Sequence, residues 1–404
     1  MESEPQHALF DVVVVGGGPA GATAAHDLAQ RGRSVLLLDR GGRIKPCGGA
    51  VPPILLTEFD IPESVLASRV NCARMISPES RKVDMPINGF VGMVDREHFD
   101  EWLRERAAAA GAVRVTGIFK MIERSDTGDT TVVYEVDTGG GKSGREVHRI
   151  ATRLIIGADG ARSEVARQSV PEAHDIPFVA AYHEIVASPD RDDDDFDRKR
   201  CEVYYQGELS NDFYAWVFPH GDQTSIGVGT ANKGFSMRAA VTTLRERIGM
   251  ADNATIRTEG APIPLRTLKR WDNGKDVLLA GDAAGCVAPA SGEGIYYAMF
   301  SGRLAAEAAD EFCSSGSPGA LRLARKRFMK AHGRVFWILG LLQRFWYSND
   351  KRRERFVSMC RDPDVQMLTW EAYMYKRLVK AKPLAHVRIF FKDLAHLLGL
   401  APVK

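Results

Sequence analysis

Cysteine is scarce in this chain, with six in 404 residues, and no two of them form a CxxC pair. That scatter (Cys47, Cys72, Cys201, Cys286, Cys313, Cys360) argues against a zinc site and against a disulfide framework. Long hydrophobic runs are also lacking. The nearest approach, "VFWILGLLQRFWY" at 335–347, is broken by Gln343 and Arg344 and falls short of the roughly 18 to 20 apolar residues of a membrane span. The opening stretch "MESEPQHALF" has no basic region followed by an apolar run, so neither a secretory nor a transit signal is expected and the sequence predicts a cytoplasmic protein. Internal repeats and low-complexity segments are lacking too. What is present is an ordinary globular composition, 45% hydrophobic, with enough chain for one large core or two moderate ones. The net charge of +2 hides an asymmetry: residues 321–404 hold 19 Lys or Arg against 6 Asp or Glu, leaving 35 against 46 elsewhere.

The β-branched run "LFDVVVV" at 9–15 ends in glycines, and a helix-like "PAGATAAHDLAQRG" and a second apolar run "SVLLLDR" follow. Strand, glycine turn, helix and strand open a doubly wound α/β domain. Gly16, Gly18 and Gly21 form a GxGxxG in that turn, where missing side chains let backbone approach a pyrophosphate at the helix N-terminus. Asp39, at the end of the next strand, stands where a carboxylate binds a ribose hydroxyl, so the pattern predicts dinucleotide binding. A second Gly-rich stretch, "DTGGGKSGRE" at 137–146, has Val136 where a phosphate loop needs glycine and reads as a hairpin. Residues 175–265 alternate as antiparallel strands, entered through the acidic loop "DRDDDDFDRKR", whose carboxylates lack calcium-loop spacing. Beyond 320 the chain reads as helical, with Met367, Trp370, Met374 and Leu378 on one apolar face.

Two later stretches, "GADGARS" at 157–163 and "GDAAGCVAPASGEGI" at 281–295, repeat the theme of a strand ending in Gly or Ala, Asp and a small-residue turn. Together with the first motif they resemble the flavoprotein hydroxylase fold. The resemblance implies an α/β architecture: a Rossmann-like FAD-binding domain of the p-hydroxybenzoate hydroxylase type in two parts (8–175 and 266–320), an antiparallel-sheet substrate domain (176–265) and a helical basic C-terminal region (321–404). FAD is then expected to contact Gly16, Gly18, Ala20, Gly21, Asp39 and Arg40. Further contacts are implied from Asp159 and Gly160 near the pyrophosphate, Gly281 and Asp282 at the ribityl chain, and Gly292, Gly294 and Ile295 along the flavin ring. "VDREHFD" at 94–100 resembles the fold's arginine-bearing helix start and implies Arg96 toward the pyrophosphate. The second motif departs from its usual DGxxSxxR form, since Ala166 replaces the arginine and Arg167 follows one residue late.

Within that fold, "YAWVFP" at 214–219 with Gly227 and Gly229 resembles the signature of geranylgeranyl reductases, and "PCGGAVPP", "RMISPES" and "VQMLTWEAYMYKRLV" resemble its chlorophyll and bacteriochlorophyll branch. The Trp-x-Trp-x-Ile-Pro stretch of tryptophan halogenases is missing. The resemblance implies hydrogenation of a geranylgeranyl chain, on a pigment ester or the free diphosphate, with NADPH as reductant and a ferredoxin as the alternative. Tyr214, Trp216, Phe218 and Pro219 would face the prenyl chain; the competing reading is a strand filling its own core. In this fold Cys47, Gly48 and Gly49 lie beside the flavin. Cys47 is then a proton shuttle, redox sensor or gate, or else a small apolar filler. A free thiol, titrating near about 8.5, is a weak acid for an alkene, so water or Tyr214 stands as an equal proton donor. The basic, aromatic tail predicts a peripheral place on a photosynthetic or inner membrane, beside pigment-synthesis enzymes, and no nucleic-acid motif accompanies its charge. The rival readings are a flavin monooxygenase or epoxidase, a geranylgeranyl lipid reductase, and a non-catalytic prenyl-binding chaperone.

Overall fold

A computed structural model describes residues 9–42, 44–45, 47–126, 128–139 and 144–376. Pro46 of the "PCGG" turn, Gly140–Ser143 of the "GGGKS" turn, Leu378 and the rest of the tail from 377 lie outside the described residues. The described residues form two compact units: those within 9–44, 99–178 and 262–340 make one, and those within 45–98, 179–261 and 341–376 the other.

The first unit is organised by strand Phe10–Val15, which pairs in parallel with Val35–Asp39 on one side and Arg145–Gly157 on the other. Arg145–Gly157 changes character along its length. Its first half pairs antiparallel with Thr130–Asp137 and alternates buried and exposed residues, as a strand with one wet face does. From Thr152 it runs parallel to Phe10–Val15 and Val277–Leu279, and from Leu154 it is buried continuously, because helices cover both faces of a parallel sheet. Helices Pro19–Gln30 and Ile295–Ser315 pack so closely that a Cβ on Gly302 would collide with the Ala20 carbonyl.

The second unit holds an eight-stranded sheet in the order Thr255–Pro264, Phe178–Ala187, Gln223–Thr230, Ala215–Pro219, Arg200–Tyr204, Ser68–Ile76, Lys82–Met93, Ala50–Val51. The interval 55–115, mixed by sequence, supplies two of its long strands. Arg200–Tyr204 runs parallel to Ser68–Ile76, while its pairing with Ala215–Pro219 is antiparallel. Ala215 and Val217 point into a core with Val186, Ile226, Val228 and the helix Met237–Arg247. Tyr214, Trp216 and Phe218 therefore face the other side. The acidic loop is tied down by cations: buried Arg74 bonds Asp194 at 2.9 Å and Asp84 at 2.6 Å. No cluster fit to hold a metal occurs among the described residues.

The C-terminal residues form helices Arg322–Trp346, Asp350–Met359 and Pro363–Tyr375. Met374 is buried against Val70, Ile87, Val91, Met93 and Cys201, with Trp370 and Tyr373 packed alongside. Among the described residues no helix is long and apolar enough to cross a membrane.

Candidate functional site

In the first unit the glycine turn divides its labour. Gly16 adopts φ 105°, and a side chain there would strike the Ala158 carbonyl; one on Gly21 would strike the carbonyl of Gly16. These two glycines let the turn pack on itself. Gly18 differs: a Cβ built on it meets nothing within 4 Å. It is the N-cap of helix Pro19–Gln30 and offers no side-chain cap, so the first amides of the helix point into that open space, a cradle for a phosphate.

Asp39 closes the turn. Its Oδ2 accepts from the Gly17 amide at 2.7 Å and its Oδ1 from the Gly41 amide at 2.9 Å. Each oxygen keeps a second lone-pair direction for a ribose hydroxyl. Arg104 was not legible as a site residue. It donates to the Gly17 carbonyl at 3.2 Å and to Glu101 at 2.7 Å, while Arg114 grips the same carboxylate. The Arg114 and Arg104 guanidiniums hold the Glu101 carboxyl down at about 2. In the sequence, Glu101 and Arg104 read only as a helix-surface pair three residues apart. Arg40 is exposed.

The "GADGARS" turn places Asp159 where it accepts from the Ser163 hydroxyl at 2.5 Å and the Glu164 amide at 2.7 Å. Loss of water pushes its carboxyl up to about 6, against the pull of those donors. Gly160 at φ 91° borders open space, like Gly18. Arg167 instead pairs with Glu164. In the third motif Gly281 adopts φ 63°, where a Cβ would come within 2.7 Å of the Ala20 methyl, and its amide donates to Ser301 at 2.9 Å. Asp282 is buried within this turn, and Gly292 and Gly294 precede Ile295, the first residue of helix Ile295–Ser315, whose N-cap Gly294 offers no side chain.

The second unit brings together two stretches distant in sequence. Cys47, Gly48 and Gly49 lie against the end of strand Ala215–Pro219. A Cβ on Gly48 would sit 2.7 Å from the Phe218 ring, and one on Gly49 (φ 74°) would collide with His220. His220 Nε2 lies 3.0 Å from the Gly48 carbonyl, and the Gly49 amide donates to Cys47 Sγ at 3.3 Å. From Phe218 the rings continue through Trp216 at 6.4 Å, Tyr214 at 6.1 Å and Tyr205 at 6.0 Å. Trp216 is buried, whereas Tyr214 and Phe218 keep part of their surface exposed. Arg96, buried, starts helix Arg96–Ala109.

A buried polar row supports Trp216. Its indole donates to Ser225 at 3.0 Å, Ser225 meets His183 Nδ1 at 2.9 Å, and His183 Nε2 meets Glu259 at 2.6 Å. Because an indole N–H only donates, Ser225 must accept from it and can pass its own hydrogen to His183. Arg257 pairs with Glu259 at 2.9 Å and with Asp95 at 3.1 Å. Sequence reading missed this row, since its members come from four strands with no shared motif. Gly227 explains one glycine of the signature: a side chain there would collide with the Trp216 indole.

The open phosphate cradle at Gly18, the Asp39 brace and the two further small-residue turns define a flavin-dependent oxidoreductase. Residues 88–301 match the FAD binding domain family and residues 11–50 the FAD dependent oxidoreductase family. The chain is 57% identical to a geranylgeranyl diphosphate reductase of Rhodobacter capsulatus over 97% of this chain and 98% of that protein. A chloroplastic geranylgeranyl diphosphate reductase of Oryza sativa is 37% identical over 95% of this chain and 85% of its own. The chain thus belongs to the geranylgeranyl reductase family. In fold it matches a geranylgeranyl bacteriochlorophyll reductase-like protein of Thermoplasma acidophilum, with a TM-score of 0.78, 22% identity, and coverage of 93% of this chain and 99% of that one.

Proposed function

We propose that the protein reduces double bonds of a geranylgeranyl chain, carried on a (bacterio)chlorophyll precursor or on diphosphate, toward the phytyl form. The observation that carries this reading is the seating of Cys47–Gly49 against Phe218, at the end of an aromatic row through Trp216 and Tyr214. An aromatic row with Tyr214 and Phe218 partly exposed suits an extended apolar ligand such as a prenyl chain.

FAD, when bound, supplies the two-electron chemistry, and NADPH is the proposed source of those electrons. Gly16, Gly18, Ala20, Gly21, Asp39 and Arg40 would hold its ADP half, with Arg104 bracing the turn from the Gly17 carbonyl. Asp159, Gly160 and Arg96 would serve the pyrophosphate, and Gly281, Asp282, Gly292, Gly294 and Ile295 the remainder. The sequence holds one glycine-rich dinucleotide turn, so NADPH would deliver its electrons without a Rossmann domain of its own.

Saturating one double bond adds a hydride, which the reduced cofactor would supply, and one proton, which the chain's own residues must supply or relay to an apolar carbon. Tyr214 and Cys47 are the proposed donors, each with part of its surface open. The Trp216 row does not serve this purpose, because it ends in an indole that gives no proton away. Its role is to hold the wall in place and keep water out.

The proposed membrane contact is the helix Arg322–Trp346, which exposes Trp337 (70%), Leu341 (55%) and Leu342 beside Arg334 and Arg344. Exposed apolar side chains with arginines at the margin suit the surface of an anionic bilayer. Supplying reduced protein with each substrate in the absence of oxygen tests the function; co-sedimentation with anionic vesicles tests the membrane contact.

A further inference from the structure

We propose that His220 is the positioning residue of the Cys47 turn, its imidazole donating Nε2–H to the Gly48 carbonyl and so seating the turn on the Phe218 ring. The role within the reaction rests on the reading that this turn borders the substrate.

His220 is well placed to be rigid. It begins the hairpin between Ala215–Pro219 and Gln223–Thr230, its amide donates to the Gln223 carbonyl at 2.7 Å, and Gly221 at φ 80° completes the reversal. The imidazole is therefore fixed relative to Phe218, two residues back near the end of strand Ala215–Pro219. The turn it meets needs two glycines at the point of contact. Gly48 makes room for Phe218, Gly49 makes room for His220, and the Gly49 carbonyl accepts from the Val94 amide at 2.9 Å. Side chains at either position would push the backbone off the strand.

A carbonyl partner requires a nitrogen that bears hydrogen, which in a neutral ring leaves Nδ1 as the acceptor. Besides burial and the Gly48 carbonyl, the groups that act on His220 are Asp95, His183 and Arg257, the last two opposing its protonation. Loss of water around the ring dominates and pushes its pKa down to about 4. The ring is thus a neutral donor, unaltered by pH changes across the neutral range.

The test uses the full-length, flavin-loaded protein and an uncharged maleimide, with peptide mass spectrometry following Cys47 and Cys72 separately. Both thiols are partly exposed, so Cys72 is the internal control. In His220→Phe, which keeps a ring but no donor, Cys47 should react about two- to tenfold faster, the factor one net hydrogen bond is worth. Cys72 should be unchanged, and His220→Gln, which restores an N–H, should return Cys47 toward the parent rate. With geranylgeranyl diphosphate, kcat should fall in the Phe variant with KM nearly constant, and recover in the Gln variant. An unchanged Cys47 rate in His220→Phe, or a Gln variant as reactive as the Phe variant, overturns the proposal. If His220→Phe exposes the buried Cys201 or Cys360, His220→Leu, smaller and likewise without a donor, takes its place; no rise at Cys47 there also overturns it. The labelling needs no substrate, so its failure and a failure of the reductase reading are told apart.

Discussion

The Trp216 indole donates to the Ser225 hydroxyl at 3.0 Å inside a sheet where neither side chain meets water. Ser225→Ala leaves a buried N–H without its acceptor, and Trp216→Phe leaves the hydroxyl without its donor. Each single variant should lose about 1 to 3 kcal/mol of stability, and the double variant less than the two losses together. Urea unfolding of the four proteins measures the coupling; strict additivity would show that the bond contributes nothing.

The glycine turn separates packing from ligand approach. Gly21→Ala should destabilise even flavin-free protein, because its methyl meets the Gly16 carbonyl. Gly18→Val should leave the melting temperature of flavin-free protein within a few degrees while weakening FAD binding at least about tenfold, since its side chain fills the space kept for phosphate. Flavin titration with thermal unfolding distinguishes them. Stoichiometric FAD at full affinity in Gly18→Val would remove the cradle from the account.

That division also shows what was legible. The three small-residue turns, the helices between Arg322 and Tyr375 and the alternating strands could be read because each depends on local spacing. The Cys47 turn and the "YAWVFP" strand could be quoted together but not placed together, because nothing local tells Gly48 that Phe218 lies above it. Likewise the parallel pairing of Ser68–Ile76 with Arg200–Tyr204 joins segments more than a hundred residues apart, and alternation alone does not name a partner. Arg104, His183, Ser225, His220 and Glu259 were missed for the same reason. Each is a common residue type made specific by what the fold sets beside it.

His220 should leave a signature in the pH dependence of stability. Its pKa falls from 6.5 to about 4 on folding, so the neutral form is favoured in the native state. The contribution is complete above about pH 6.5 and lost as pH drops toward 4, at about 1.4 kcal/mol per pH unit within that window. The stability difference between parent and His220→Gln should therefore shrink by roughly 3 kcal/mol from pH 7 to pH 4. A difference constant across that range would contradict the assignment of a neutral imidazole.

Cys47→Ser keeps the approximate size of the side chain and a group able to accept from the Gly49 amide, but removes thiol acidity and redox chemistry. If the thiol shuttles a proton, turnover should fall at least about tenfold with FAD content unchanged. Single-turnover rates with reduced protein read this directly. Full activity in the serine variant would end the shuttle and sensor readings and leave Cys47 as a filler of the turn.

Product mass decides whether the aromatic row holds a prenyl chain while its double bonds are reduced one at a time. Reduced protein, kept free of oxygen and given geranylgeranyl diphosphate or a geranylgeranylated (bacterio)chlorophyll, should yield products that gain two hydrogens per step. Partly reduced species should appear, because successive double bonds must be repositioned at one fixed site. Products that gain an oxygen atom, or a prenyl chain left unchanged on both substrates, would contradict the account.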